Sequence, residues 1–251
     1  MKSFHSNARS ARRQRGFTLI EMMVAVAIGL VVALGFAVSF VSLKSTYNTT
    51  DQFSQLQDNE RLAMGFLTTS VEESGYYPDS TQASPIVAMP DPNNTYGDTT
   101  VGQVIFGQAS TSTKSATLST VYAATGGDGV LTCQGATTPS STGTVTYRNV
   151  FYVDSSANTL NCVVMSSSST LAAGGAALVT NVKSMDVLYA VDTDSDGNAD
   201  RYMDAGAVNT AALWGNVKSV RVTLNFINPN TSPGQAATIQ WVQTINLMNK
   251  R

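Results

Sequence analysis

The stretch RGFTLIEMMVAVAIGLVVALGFAVSFVSL, Arg15 to Leu43, decides how the chain is read. From Met22 to Leu43 it holds 22 residues without a charge. At about 1.5 Å rise per residue they make a helix of roughly 33 Å, matching a bilayer core of about 30 Å. Glu21 stands at the head of this run. A charged side chain in hydrocarbon costs about 2.5–3.5 kcal/mol and normally has a partner. A cleaved secretory signal has a shorter apolar core and a small-residue exit site. Ala33-Leu34-Gly35 could serve as that site, but Glu21 has no task in a disposable signal.

Charge is distributed unevenly around this stretch. Lys2, Arg9, Arg12, Arg13 and Arg15 precede it with no acid among them. The remainder keeps ten of the 15 basic residues against all 17 acids, a balance of −7. A basic leader before an apolar run stays on the cytoplasmic side while the rest is exported. The acidic remainder shows no nucleic-acid-binding stripe. Only 13% of residues are charged, against about 25% in an ordinary soluble domain. Ser, Thr, Asn, Gln and Gly supply the remaining polarity, which suits an exported surface protein.

The helical pattern outlasts the apolar run. No proline occurs between Phe17 and Tyr77, and Phe53, Leu56, Glu60, Ala63, Leu67 and Val71 recur at three- and four-residue steps. That spacing predicts an amphipathic second half of one helix, ended by Gly75 and Pro78. Beyond it lies a turn-rich region with Pro85, Pro90, Asp91-Pro92 and Asn93-Asn94. Period-two alternation then predicts strands at Val145–Val153, Met185–Val191, Val220–Phe226 and Ile239–Leu247. Thr137–Thr144 and Ser166–Thr170 read as loops. Strands with one apolar face need a covering layer, which the amphipathic helix supplies. The fold class is therefore α+β, a long N-terminal helix packed on an antiparallel sheet.

Two residue types limit the chemistry. The single histidine, His5, lies in the leader. Its removal would leave no Ser-His or Cys-His nucleophile and no His-ligated metal. The two cysteines, Cys133 and Cys162, have no C-x-x-C spacing. In an exported chain such a pair reads as a disulfide, although two buried thiols remain an alternative.

Arg15-Gly16-Phe17-Thr18-Leu19-Ile20-Glu21, behind a basic leader and ahead of an uninterrupted helix, resembles the processing site of type IV pilins and type II secretion pseudopilins. The resemblance implies cleavage by prepilin peptidase between Gly16 and Phe17, methylation of the new N-terminus, and pairing of Glu21 with the ammonium group of a neighbouring subunit's first residue. It divides the chain into a leader (1–16), a transmembrane half-helix (17–43), an amphipathic half-helix (44–77) and an exported β-rich head (78–251). Ala25, Gly29, Ala33 and Ala37 recur every four residues, as in stripes that let membrane helices pack closely. Chance clustering in a Gly/Ala-rich span is the plain alternative.

Asp58-Asn59-Glu60-Arg61-Leu62-Ala63, Glu72-Glu73-Ser74-Gly75-Tyr76, Val182–Val187 and Trp214–Val222 resemble the corresponding parts of PilW-type minor pilins. That implies a non-enzymatic structural subunit in the inner membrane and then the pilus, near its tip. Its partners would be other minor and major pilins, the prepilin peptidase and the inner-membrane assembly machinery. Twitching, adhesion or DNA uptake would follow. A minor pseudopilin of a type II secretion system shares the helix and a similar head. A membrane-tethered lectin-like module, using Tyr76, Tyr77, Tyr96 and Trp214, is the alternative of another class.

One motif stands apart. Asp192-Thr193-Asp194-Ser195-Asp196-Gly197-Asn198-Ala199-Asp200 has the D-x-D-x-D-G-x-x-D spacing of calcium loops. Asp192, Asp194, Asp196, Asp200 and the Asn198 carbonyl would ligate Ca²⁺. The twelfth position is Met203 rather than glutamate, and Asp204 could substitute. A solvated Asp-Gly hairpin turn is the plain alternative.

Overall fold

Helix α1 spans Leu19–Glu73, 55 residues without interruption. The structure, a computed structural model, describes residues 16–78, 86–91, 93, 95–136, 143–167, 175–230 and 233–249. The leader up to Arg15, Pro85, Pro92, Asn94 and most of the two Ser/Thr-rich loops lie outside them. Residues through Asp51 and residues from Gln52 onward form two compact units.

In the first unit Thr18 starts the helix, its hydroxyl accepting the Glu21 N–H at 3.3 Å. Thr-x-x-Glu is a capping-box spacing, and a carboxylate in a first turn is favoured by the helix dipole. Residues 16–48 are all exposed. The Ser/Thr-rich stretch after Leu43 is helical, and its hydroxyls bond back one turn. Thr46 donates to Ser42 O at 3.1 Å, Thr49 to Ser45 O at 3.0 Å and Thr50 to Thr46 O at 2.9 Å.

In the second unit α1 buries Leu56, Glu60, Ala63, Met64, Leu67, Ser70 and Val71, the face that the spacing predicts. The helix stops as expected at Gly75. Its φ of +81° suits glycine, and its N–H leaves the helix to bond Val121 O at 2.8 Å.

Nine strands follow among the described residues, in two antiparallel sheets. The first sheet is a meander of β1 (Ile105–Gln108), β2 (Thr117–Thr125), β3 (Thr144–Asp154), β4 (Thr159–Ser166) and β5 (Ala176–Thr180). The second runs in the order β7 (Arg201–Asp204), β6 (Val182–Val191), β8 (Val217–Ile227) and β9 (Thr238–Asn246). Asn181, at φ +64°, separates β5 from β6 and carries the chain from one sheet to the other. A short helix α2 (Ala205–Thr210) follows β7, capped by Asp204.

One core joins Leu56, Ala63, Leu67 and Val71 of α1 to Leu118, Tyr122 and Phe151 of the first sheet and Val187, Val222 and Leu224 of the second. Polar ties reinforce it. Ser70 Oγ lies 2.7 Å from Thr120 Oγ1, and Gln243 donates to Thr68 at 3.1 Å. The α+β class with an antiparallel head is borne out, and the four strands read from alternation are β3, β6, β8 and β9.

The strands that alternation missed have a physical signature. β2, TLSTVYAAT, is buried at eight consecutive positions. Leu118, Tyr122 and Ala124 face the main core, while Val121 and Ala123 join Ile86 and Met89 in a second cluster. A strand covered on both faces has no solvent side and loses the alternation. Arg148 of β3 shows the same cover. It is fully buried, donating to Gly97 O at 2.6 Å, Tyr96 O at 2.9 Å and Ser119 Oγ at 2.9 Å. It thereby pins the Tyr96–Gly97 segment over the sheet. Burial lowers its pKa to about 10, against the support of Asp91 and Asp98.

Candidate functional site

The sequence-derived candidates fall into three places: the head of α1, the turn after β6, and the cysteine pair. At the head of α1, Gly16 and Phe17 precede the helix in an exposed, non-helical segment, and Glu21 sits exposed in its first turn. Phe17 and Leu19 are more than three-quarters exposed, and the large apolar side chains from Ile20 to Leu43 are half to three-quarters exposed. Ala25, Gly29, Ala33 and Ala37 lie at four-residue steps on an exposed helix, and a Cβ at Gly29 would meet nothing within 4 Å. An exposed apolar surface of this length requires a lipid or protein environment.

After β6 the Asp-rich segment folds as a tight turn held by its own carboxylates. Asp192 is buried, and its Oδ1 accepts the Ser195 N–H at 2.6 Å and its Oδ2 the Gly197 N–H at 2.9 Å. Lys218 Nζ stands 3.2 Å from the same carboxylate. Burial pushes the Asp192 carboxyl up, but Lys218 and the Gly197 and Ser195 N–H groups outweigh it and hold the carboxyl below the usual aspartate range. Asp200 is lowered by the hydroxyl and N–H of Thr193, both at 2.6 Å.

Asp192, Asp194 and Asp200 each offer an oxygen within 4.8 Å of the others, which fits three legs of an oxygen-ligated cation. Asp196 is not in that group. Its two oxygens take the backbone and side-chain N–H of Asn198, at 2.7 and 3.1 Å. Asp204, the substitute for a twelfth-position acid, accepts the Ala207 N–H at 2.8 Å as the cap of α2.

Cys133 and Cys162 are joined in a disulfide with Cα atoms 6.4 Å apart. It ties the segment before β3 to β4, and Cys133 N–H bonds Asn149 Oδ1 at 3.3 Å. The four aromatics weighed as a ligand surface are dispersed. Trp214 packs edge-on against buried Tyr189, with ring centroids 4.9 Å apart, and Tyr96 lies 5.6 Å from Tyr152. Tyr76 packs against the main core and Tyr77 against the second cluster. The indole that is exposed is Trp241, at 42%. Alternation placed it on an apolar face, but β9 is an edge strand and only Ile245 of that face is buried.

The apolar helix, its heading motif and the β head fit the type IV pilin class, and residues 11–37 match the prokaryotic N-terminal methylation motif. Within that class residues 150–246 match the Type IV Pilus-assembly protein W family. The chain is similar to PilW over that part of its head, and its methylation motif and apolar helix fit a membrane-anchored pilin. A type IV-like pilin from Thermus thermophilus aligns over 77% of this chain and 96% of its own, at 10% identity and a TM-score of 0.41. No curated protein matches the chain.

Proposed function

We propose that this protein is a non-enzymatic minor pilin that helps initiate and assemble a type IV pilus from a position near its tip, serving motility, adhesion or DNA uptake. Prepilin peptidase cuts between Gly16 and Phe17, residues 17–43 hold the subunit in the inner membrane, and the head faces the periplasm before assembly. The observation that carries this reading is the exposed apolar half of α1 with a carboxylate in its first turn, on a chain whose head matches a pilus-assembly family. Glu21 costs least where it meets the ammonium group of Phe17 in the next subunit. Other pilins and the inner-membrane assembly machinery are the partners. The family match over the head favours the pilus over a secretion pseudopilus.

Two measurements test this. Mass spectrometry of the mature chain should find a methylated Phe17 at its start, and any other start removes the processing step. Glu21→Ala should leave processing and membrane insertion unchanged while cutting recovery in sheared filaments about tenfold or more. Wild-type recovery would refute the pairing. The Asp-rich turn adds a calcium reading, with Asp192, Asp194 and Asp200 as ligands and charge neutralisation as the ion's contribution. Calorimetric titration of the full chain should then show heat with Ca²⁺ that Asp194→Asn abolishes, whereas no heat at millimolar Ca²⁺ leaves a hydrogen-bonded turn and nothing more.

A further inference from the structure

β9 leaves one edge open. It pairs with β8 without a register shift, and no strand takes its other edge among the described residues. The direction of its backbone groups follows from two bonds. Leu247 N–H bonds Lys218 O, and Ala237 O accepts the Asn228 N–H, so odd-numbered residues face β8. Gln240, Val242, Thr244 and Asn246 therefore turn their N–H and C=O groups outward.

Proteins blunt such edges with lysine, proline, bulges or short strands. β9 has none of these. It spans nine residues, and Thr238–Asn249 contains neither a charge nor a proline. The other outer strands, β1, β5 and β7, are four, five and four residues long.

Beside this edge, between β9 and α1, lies a groove of about 620 Å³ lined by Glu60, Met64, Thr68, Trp241 and Gln243. Trp241 and Gln243 share the sheet face toward α1, so a strand added beyond β9 would point alternate side chains into this groove. Glu60 is 4% exposed, and no hydrogen bond or ion pair reaches it among the described residues. Its carboxylate opens on the groove, where partial desolvation favours a cationic partner. Arg61, its sequence neighbour, lines the groove without pairing with it.

We propose that the β9 edge and this groove receive an extended strand from a different subunit of the pilin class, bearing a lysine or arginine that reaches Glu60. The identity of the partner class rests on the function proposed above. A second copy paired through β9 would bring no cation on that strand, so the acid favours a different chain. Strand addition would supply main-chain hydrogen bonds for affinity and the Glu60 contact for selectivity.

The test uses the full chain in its native membranes, with p-benzoylphenylalanine in place of Thr244. Irradiation should cross-link it to a peptide from another subunit carrying the N-terminal methylation motif, with Lys or Arg in that peptide. Cross-links to a second copy of this chain, cross-links only outside that class, or none at all overturn the proposal. Val242→Pro deletes an outward N–H while sparing the β8–β9 ladder, and Glu60→Gln removes the charge at constant shape. Each should lower the cross-link yield at least fivefold at an unchanged level of chain in the membrane. An unchanged yield in either overturns the proposal, and Glu60→Gln alone decides if Val242→Pro lowers the level. A wild-type chain that cross-links as expected but never reaches sheared filaments removes the filament reading and leaves the strand pairing standing.

Discussion

Glu21 and Glu60 occupy one helix but meet different surroundings. Glu21 is exposed in a capped first turn, while Glu60 is buried against the sheet beside β9. Burial raises the Glu60 pKa above 4.5, so the folded chain holds that proton more tightly than the unfolded chain. The resulting stability is complete below the unfolded value and is lost as pH rises through the folded one. Glu60→Gln makes the neutral state permanent. It should raise the Tm of the chain at pH 7, with the gain shrinking as the pH falls in thermal melts. Arg148 presents the opposite case, a buried cation whose guanidinium holds two backbone carbonyls and a hydroxyl. Arg148→Met should cost about 3–5 kcal/mol in urea denaturation, because it strands those acceptors in a dry layer.

Among the elements, β1 and β2 depend most on their neighbours. Gly107 of β1 lies against Tyr189, so that an added Cβ would overlap the Tyr189 hydroxyl and sit 2.6 Å from Thr117 O. Gly107→Ala should destabilise the chain by about 1–3 kcal/mol in the same denaturation assay. Tyr189 cannot retreat easily, being fully buried and packed on Trp214. α1 is less dependent on its surroundings. Its spacing, the absence of proline and its Gly75 stop are local properties, which is why its extent was legible to within a few residues. β6 and β8 were legible for a related reason, since alternate positions along them meet the core. β1, β4, β5 and β7 offered short or irregular patterns, and β2 offered none.

At the scale of the molecule, long-range ties set the head's stability. The Cys133–Cys162 bridge closes a loop of 29 residues in sequence separation. Replacing both cysteines by serine should lower unfolding stability by about 3 kcal/mol, read as a shift in the urea midpoint at unchanged slope. The loss should leave the helix content seen by circular dichroism intact at low denaturant, because α1 makes its own hydrogen bonds.

The sequence by itself determined the long apolar helix, the acid at its head and the processing motif, and it offered the two cysteines as a candidate pair. Each depends on neighbouring residues or on the solvent that a stretch requires, and a single segment crossing lipid on its own satisfies its backbone only as a helix. Only the tertiary structure decided that β2 and Arg148 are covered on both faces, that three of the four turn aspartates converge, and that β9 ends a sheet beside an unpaired Glu60. Those facts arise from contacts between residues distant in the chain. Alternation cannot tell an edge strand from a central one, or one buried face from two.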